Sequence, residues 1–158
     1  MTNHPGQSLP LVALILALLA PFIFGALDIF ERQAQIAQIE DAMRNAARIG
    51  VQSFDYSVFA ANSQRLAGER ANMRASAALR AHLQSQRAIE SGQINAVMQR
   101  TIWHALPQGG TVRFGDQSTA TFATPALCGE TIAPIRGTSI MFPPIERRII
   151  ACSAIDRP

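Results

Sequence analysis

Histidine and cysteine are the residues of this chain best suited to metal binding or nucleophilic catalysis. The 158 residues include three histidines and two cysteines, which are His4, His82, His104, Cys128 and Cys152. They do not stand at the spacing of a metal-binding motif, and the sequence has no phosphate-binding glycine loop or nucleophile elbow. We therefore predict no catalytic residue, no metal site and no cofactor, and we expect a protein that is not an enzyme.

The composition excludes further classes of protein. Hydrophobic residues make up 48% of the chain and charged residues 16%, against about 25% charged residues in an ordinary soluble domain. This balance argues against an intrinsically disordered chain. All 14 basic residues are arginines, and those between residues 70 and 87 are not interleaved with aromatic side chains as in a typical nucleic-acid surface. We expect no nucleic-acid partner.

The elements that would position any functional surface begin with a long apolar run. Leu9–Leu27 contains nineteen residues and no charged side chain. As a helix it would be about 28 Å long, close to the hydrocarbon thickness of a bilayer, about 30 Å. The preceding residues contain no Lys or Arg, and the run is longer than the core of a cleaved secretory signal. We predict a retained transmembrane helix in contact with membrane lipid.

Two signals on the orientation of this helix disagree. Arg32 and Arg44 follow the span and no basic residue precedes it, which favours a cytoplasmic body by the positive-inside rule. A disulfide between Cys128 and Cys152, which we favour over two buried thiols on condition that the body is extracytoplasmic, would instead require an oxidising compartment. From these residues alone, both orientations stay open.

An amphipathic helix is predicted to continue the span. Asp28 precedes Arg32 by four residues, and Glu40 precedes Arg44 by four, in the order that supports a helix. Two interpretations of the apolar face stay open, namely packing against the chain's own body or against neighbouring subunits. The apolar residues of this face, called the seam below, are Ile29, Ile36, Ile39, Met43, Ala46 and Gly50.

The remaining sequence changes from helical to strand-like patterns. A second helical region is predicted over Glu69–Leu106, with a break at Ser91–Gly92, and turn residues from Pro107 onward end it. Short strands are predicted at Thr111–Phe114, Thr119–Phe122, Ser139–Phe142 and Arg148–Ser153. The predicted fold is thus α+β, with a leader (1–8), a transmembrane helix (9–27), a helical region (28–106) and a small antiparallel sheet packed on the helices (107–158).

Three motifs resemble those of a known family. Gly6-Gln7-Ser8 precedes the apolar run, Phe24–Asp28 closes it, and Asn45–Gly50 follows in the amphipathic helix. In these motifs the chain resembles the TadE/TadF-like pseudopilins of tight-adherence (Tad/Flp) pilus systems. The resemblance implies a pilin-like fold and leader processing between Gly6 and Gln7. It also implies a single-pass protein of the inner membrane whose body is extracytoplasmic.

The resemblance further implies a function in pilus assembly. We expect a minor pilin or pseudopilin whose seam packs against other pilin or pilus-assembly subunits. Leu11 stands where the family carries Glu, and the absence of this Glu suits a subunit at a filament tip. It also leaves open whether the leader is cleaved after Gly6 or stays intact. The alternative function is a single-span envelope scaffold or interaction protein of a secretion or conjugation machine.

Overall fold

One helix forms the axis of the molecule. The computed structural model describes residues 8–53, 66–87, 89–137 and 142–155. Helix α1 covers Ser8–Val51 and is 44 residues long, so the predicted transmembrane helix and its amphipathic continuation form one element. Pro21 lies inside this helix, where it removes one backbone hydrogen bond. The predicted leader residues Gly6 and Gln7 lie outside the described residues.

Two shorter helices follow where one interrupted helical region is predicted. Helix α2 covers Gly68–Ser85 and helix α3 covers Ser91–Arg100, so the predicted break at Ser91–Gly92 is the beginning of α3. The prediction of helix up to Leu106 is wrong. The structure ends α3 at Arg100, and Thr101 has extended backbone angles while its hydroxyl donates a hydrogen bond to the Val97 carbonyl oxygen.

Within the described residues, five antiparallel strands complete the α+β fold. They are β1 (Ile102–Leu106), β2 (Gly110–Arg113), β3 (Thr119–Phe122), β4 (Ala126–Ile135) and β5 (Ile145–Ala154). A three-stranded sheet has the order β1-β4-β5, and a two-stranded sheet pairs β2 with β3. The central strand β4 and the strand β1 are not in the predicted set, whereas β2, β3 and β5 are.

The predicted strand at Ser139–Phe142 falls between β4 and β5. Residues 139–141 lie outside the described residues, and Phe142 is not part of a strand. The β-rich region begins at Ile102 rather than at residue 107, because β1 pairs with β4 along its whole length.

The second half of α1 packs against the sheet and the two shorter helices. Ile39, Met43 and Ala46 are fully or almost fully buried in the main hydrophobic cluster, and Ile36 packs against it. The cluster also includes Leu79 and Leu83 of α2, Ile94 and Val97 of α3, and Ala133, Ile135, Ile149 and Ala151 of the sheet.

The seam therefore packs against the chain's own body. The expectation that the whole seam contacts neighbouring pilin helices is wrong for Ile39, Met43, Ala46 and Gly50, because the same chain buries these residues. Ile36 is partly buried and packs against the same cluster. Ile29 is 62% exposed and does not take part in this packing.

Two glycines allow the closest approaches in this core. A side chain on Gly50 would overlap the Leu127 side chain and lie 2.9 Å from the Ala71 carbonyl oxygen. A side chain on Gly129 would lie 2.5 Å from the ring of Trp103 and 3.0 Å from the terminal methyl of Met43. The long helix therefore lies directly against α2 and the sheet at these points.

Candidate functional site

The first half of α1 carries an uncovered apolar surface. Within the described residues, α1 is the only helix long and apolar enough to cross a membrane, and its most apolar window has no buried residue. Phe22 is 76% exposed and Phe30 is 74% exposed. Monomeric soluble proteins rarely expose continuous apolar patches of this kind. The surface therefore defines a candidate single-pass membrane anchor that ends near Phe30.

A buried ion pair lies at the end of this apolar surface. Arg32 Nε donates a hydrogen bond to Asp28 Oδ2 over 2.7 Å. Asp28 is only 3% exposed and Arg32 only 9% exposed, although both follow directly on exposed apolar residues. Charged groups are costly to place in lipid, and here the body of the protein covers them.

The connection between β4 and β5 supplies that cover. Arg32 Nη2 donates hydrogen bonds to the Phe142 carbonyl oxygen over 3.3 Å and to the Pro143 carbonyl oxygen over 3.0 Å. On the other side of the connection, Gly137 approaches Asp28 so closely that a side chain on Gly137 would overlap the carboxylate. Arg32 thus joins the anchor helix to a segment 110 residues further along the chain.

The two cysteines form a disulfide within the sheet. Cys128 on β4 stands directly opposite Cys152 on β5, and their Cα atoms are 4.1 Å apart. The structure thus pairs the cysteines as the sequence interpretation favours. The pair packs with Val112 and Phe114 of the β2-β3 hairpin, so the disulfide lies between the sheet and the hairpin.

The Glu130 carboxylate contacts several polar groups in the same region. The backbone N–H of Gly115 donates to Glu130 Oε2 over 3.0 Å, and Arg148 Nη1 donates to the same oxygen over 3.1 Å. His104 Nε2 lies 3.3 Å from Glu130 Oε1. Because Glu130 is on β4 and Gly115 is in the hairpin turn, the carboxylate holds the hairpin against the sheet.

These contacts favour the ionised form of Glu130. Burial of the carboxyl group opposes ionisation, but the hydrogen bond from Gly115 and the interactions with His104 and Arg148 outweigh burial and lower the pKa of Glu130 below its ordinary value of 4.5. The ionised carboxylate therefore contributes to folding at neutral pH.

A cavity lies beside the ion pair of α1. It has a volume of about 460 Å³ and is lined in part by Glu31, Gln35, Gln93 and Arg136. Gln93 donates hydrogen bonds to Gln35 Oε1 and to the Pro134 carbonyl oxygen, over 3.2 and 2.7 Å. Several polar groups of the lining are thus engaged with one another, and they join α1, α3 and the end of β4.

His4 lies outside the described residues, and His82 and His104 do not form a metal site with the other candidate ligands there. Among the residues that the structure describes, no group of three or more His, Cys, Asp or Glu side chains could hold a metal ion. His82 is on α2, where its Nε2 lies 3.3 Å from Gln86 Nε2. His104 is on β1 beside Glu130, so the two histidines belong to different elements.

No family model, no curated protein and no solved structure matches this chain. The features that define its class are therefore those of its own structure. It has an α+β fold, a disulfide-linked sheet and one candidate membrane-spanning helix near the amino terminus.

Replacement of Arg32 tests the ion pair at the end of the anchor. We expect Arg32→Ala to lower the free energy of unfolding in detergent by about 3–5 kcal/mol, because it removes both the buried pair with Asp28 and the hydrogen bonds to the carbonyl oxygens of Phe142 and Pro143. The matched control is Arg44→Ala, which breaks the exposed pair with Glu40 and should cost less than about 1 kcal/mol. Equal losses in urea denaturation of the two variants would contradict this role.

Replacement of Glu130 tests the link between hairpin and sheet. The lowered pKa of Glu130 means that its contribution is present above pH 4.5 and is lost as the pH falls through the lower folded-state pKa. We expect Glu130→Gln to lower the free energy of unfolding by about 1–3 kcal/mol at neutral pH. The difference from the unsubstituted chain should shrink as the pH falls below 4.5.

Glu146 provides the control for this experiment. It pairs with Arg100 at the surface, so Glu146→Gln should change the free energy of unfolding at neutral pH by less than about 1 kcal/mol. A Glu130→Gln variant as stable as the unsubstituted chain at neutral pH would show that the carboxylate does not hold the hairpin.

Proposed function

We propose that this chain is a membrane-anchored minor pilin or pseudopilin that contributes to the assembly or the tip of a Tad-type pilus. The observation that carries the proposal is the division of α1 into two halves. Its first half is apolar and uncovered, and its second half is buried under a small disulfide-linked sheet. The proposal of a pseudopilin also rests on the motifs at Gly6, Phe24–Asp28 and Asn45–Gly50, in which the chain resembles that family.

The division of α1 also limits where other subunits can bind. Ile39, Met43 and Ala46 are occupied by the chain's own core, so they offer no surface to a neighbour. The uncovered surface between Leu11 and Phe30 is apolar and can exchange lipid for the apolar helices of other subunits without exposing its side chains to water. We therefore assign contacts with pilin or pilus-assembly partners to this half.

The proposed location follows from the disulfide and the anchor. Disulfides persist in oxidising compartments, so the Cys128–Cys152 pair favours a body outside the cytoplasm over the opposite orientation that the arginine count indicates. The protein would be stored as a single-pass protein of the inner membrane before it enters a surface pilus. Leu11, which is 59% exposed, supplies no carboxylate for a neighbouring subunit, and this supports a place at the tip.

Site-specific photo-crosslinking tests this function. A photoreactive residue at Leu19, which is 49% exposed on the apolar half of α1, should form crosslinks to other filament subunits in surface filaments released by shearing. The matched control is the same residue at Met73, which is 61% exposed on α2 and should form few crosslinks of this kind.

The distribution of the crosslinked products separates the two candidate functions. A pilin gives Leu19 crosslinks in the sheared filaments. A lateral envelope scaffold gives them only in inner-membrane complexes, and that result would overturn the pilin proposal.

A further inference from the structure

A second apolar surface projects from the body close to the anchor. Phe142–Ile145 joins the β4–β5 connection to the beginning of β5, and its sequence is Phe-Pro-Pro-Ile. All four residues are exposed, and Phe142 and Ile145 are 46% and 43% exposed. Four consecutive apolar residues on the outside of a small domain indicate a surface that contacts something other than water.

The ion pair of α1 fixes the level of this segment along the anchor. Arg32 binds the carbonyl oxygens of Phe142 and Pro143, and Arg32 is only two residues beyond the exposed side chain of Phe30. A displacement of two residues along a helix is about 3 Å. The segment therefore lies where the apolar surface of α1 ends. For the proposed anchor, this is the level of the boundary between acyl chains and headgroups.

The backbone of this segment is suited to a medium poor in water. Pro143 and Pro144 have no N–H group that would need an acceptor. The carbonyl oxygens of Phe142 and Pro143 already accept hydrogen bonds from Arg32. Removing unpaired backbone groups from water is the main cost of placing irregular backbone in a membrane. Two N–H groups are absent here and two carbonyl groups are bonded, which lowers that cost for Phe142, Pro143 and Pro144.

We propose that Phe142–Ile145 is a second lipid contact, which enters the interface of the same bilayer that holds the first half of α1. The inference rests on the proposed membrane anchor but not on pilus assembly. Aromatic side chains are common at this depth. Four residues are too few to span a bilayer, so the contact is peripheral.

The charged residues that follow Ile145 include Glu146, which pairs with Arg100, and Arg147, which fits the same lipid partner. Arg147 is exposed and follows Ile145 by two residues on β5, so the two side chains project from the same face of the strand. An arginine beside an inserted apolar segment can bind the phosphates of anionic lipids. Together with α1, this contact would hold the body against the membrane at two points and thereby restrict its rotation about the anchor helix.

Tryptophan fluorescence in lipid vesicles tests the proposal on the full chain. Phe142→Trp, Met73→Trp and Leu19→Trp are reconstituted separately in vesicles of phosphatidylglycerol and phosphatidylethanolamine. The acyl chains carry bromine, a quencher of tryptophan, either near the headgroup or near the terminal methyl. The signal of each variant is its difference from the unsubstituted chain, which retains Trp103 on β1.

The three positions report three environments. Met73 is exposed on α2, near the end of α1, which lies about 35 Å beyond Asp28. It serves as the control in water. Leu19 is exposed in the middle of the apolar run and serves as the control in lipid. We expect bromine near the headgroup to quench Phe142→Trp strongly and Met73→Trp weakly, and we expect a blue-shifted emission for Phe142→Trp.

Three outcomes would overturn the lipid contact. Quenching of Phe142→Trp no stronger than that of Met73→Trp, with Leu19→Trp quenched, would remove the contact and leave the anchor in place. If the emission wavelength of Phe142→Trp changes with the protein-to-lipid ratio and bromine does not quench it, the surface contacts a second copy of the chain. Loss of quenching at Leu19 would remove the anchor and the contact together. None of these vesicle measurements depends on whether the chain enters a filament.

Discussion

The structure depends on one constraint, which is that the two halves of α1 need different surroundings. The first half exposes large apolar side chains on all its faces, and no described part of the body covers them. The second half is amphipathic, and its apolar face is filled by α2, α3 and the three-stranded sheet. Burial of apolar surface is the dominant favourable term in folding. The body buries the apolar face of the second half, so a bilayer or the helices of other subunits must bury the apolar side chains of the first half.

The Asp28–Arg32 pair marks the change between these surroundings. A buried ion pair gives little net stability compared with apolar packing, but it becomes costly when one partner is removed. Here it also performs a positioning role, because Arg32 holds the carbonyl oxygens of Phe142 and Pro143. At the opposite side of the sheet, Glu130 links the hairpin turn to β4 in a similar way. Arg32 thus fixes the backbone at Phe142 and Pro143 relative to α1, and Glu130 fixes the hairpin relative to the sheet.

Local sequence patterns predict the anchor and the hairpin but not the centre of the sheet. The charge-free run and the pairs four residues apart depend on nearby residues, and the structure contains both. Strand β4 is buried on both faces and includes Gly129 and Pro134, so it has no alternating pattern to detect. Ile102–Leu106 continues an apolar helical pattern, and only pairing with β4 makes it a strand. The contacts of Arg32 and Glu130 cross large distances in sequence, and no local signal indicates them.

Protease treatment of intact spheroplasts tests the central claim most directly, since that claim places the first half of α1 in the inner membrane and the body outside it. A chain tagged at its carboxyl terminus should sediment with membranes, resist extraction at alkaline pH and lose its tag to added protease while a cytoplasmic marker stays intact. A tag that is protected until the spheroplasts are lysed, or a full-length chain that remains in the soluble fraction, would contradict the account.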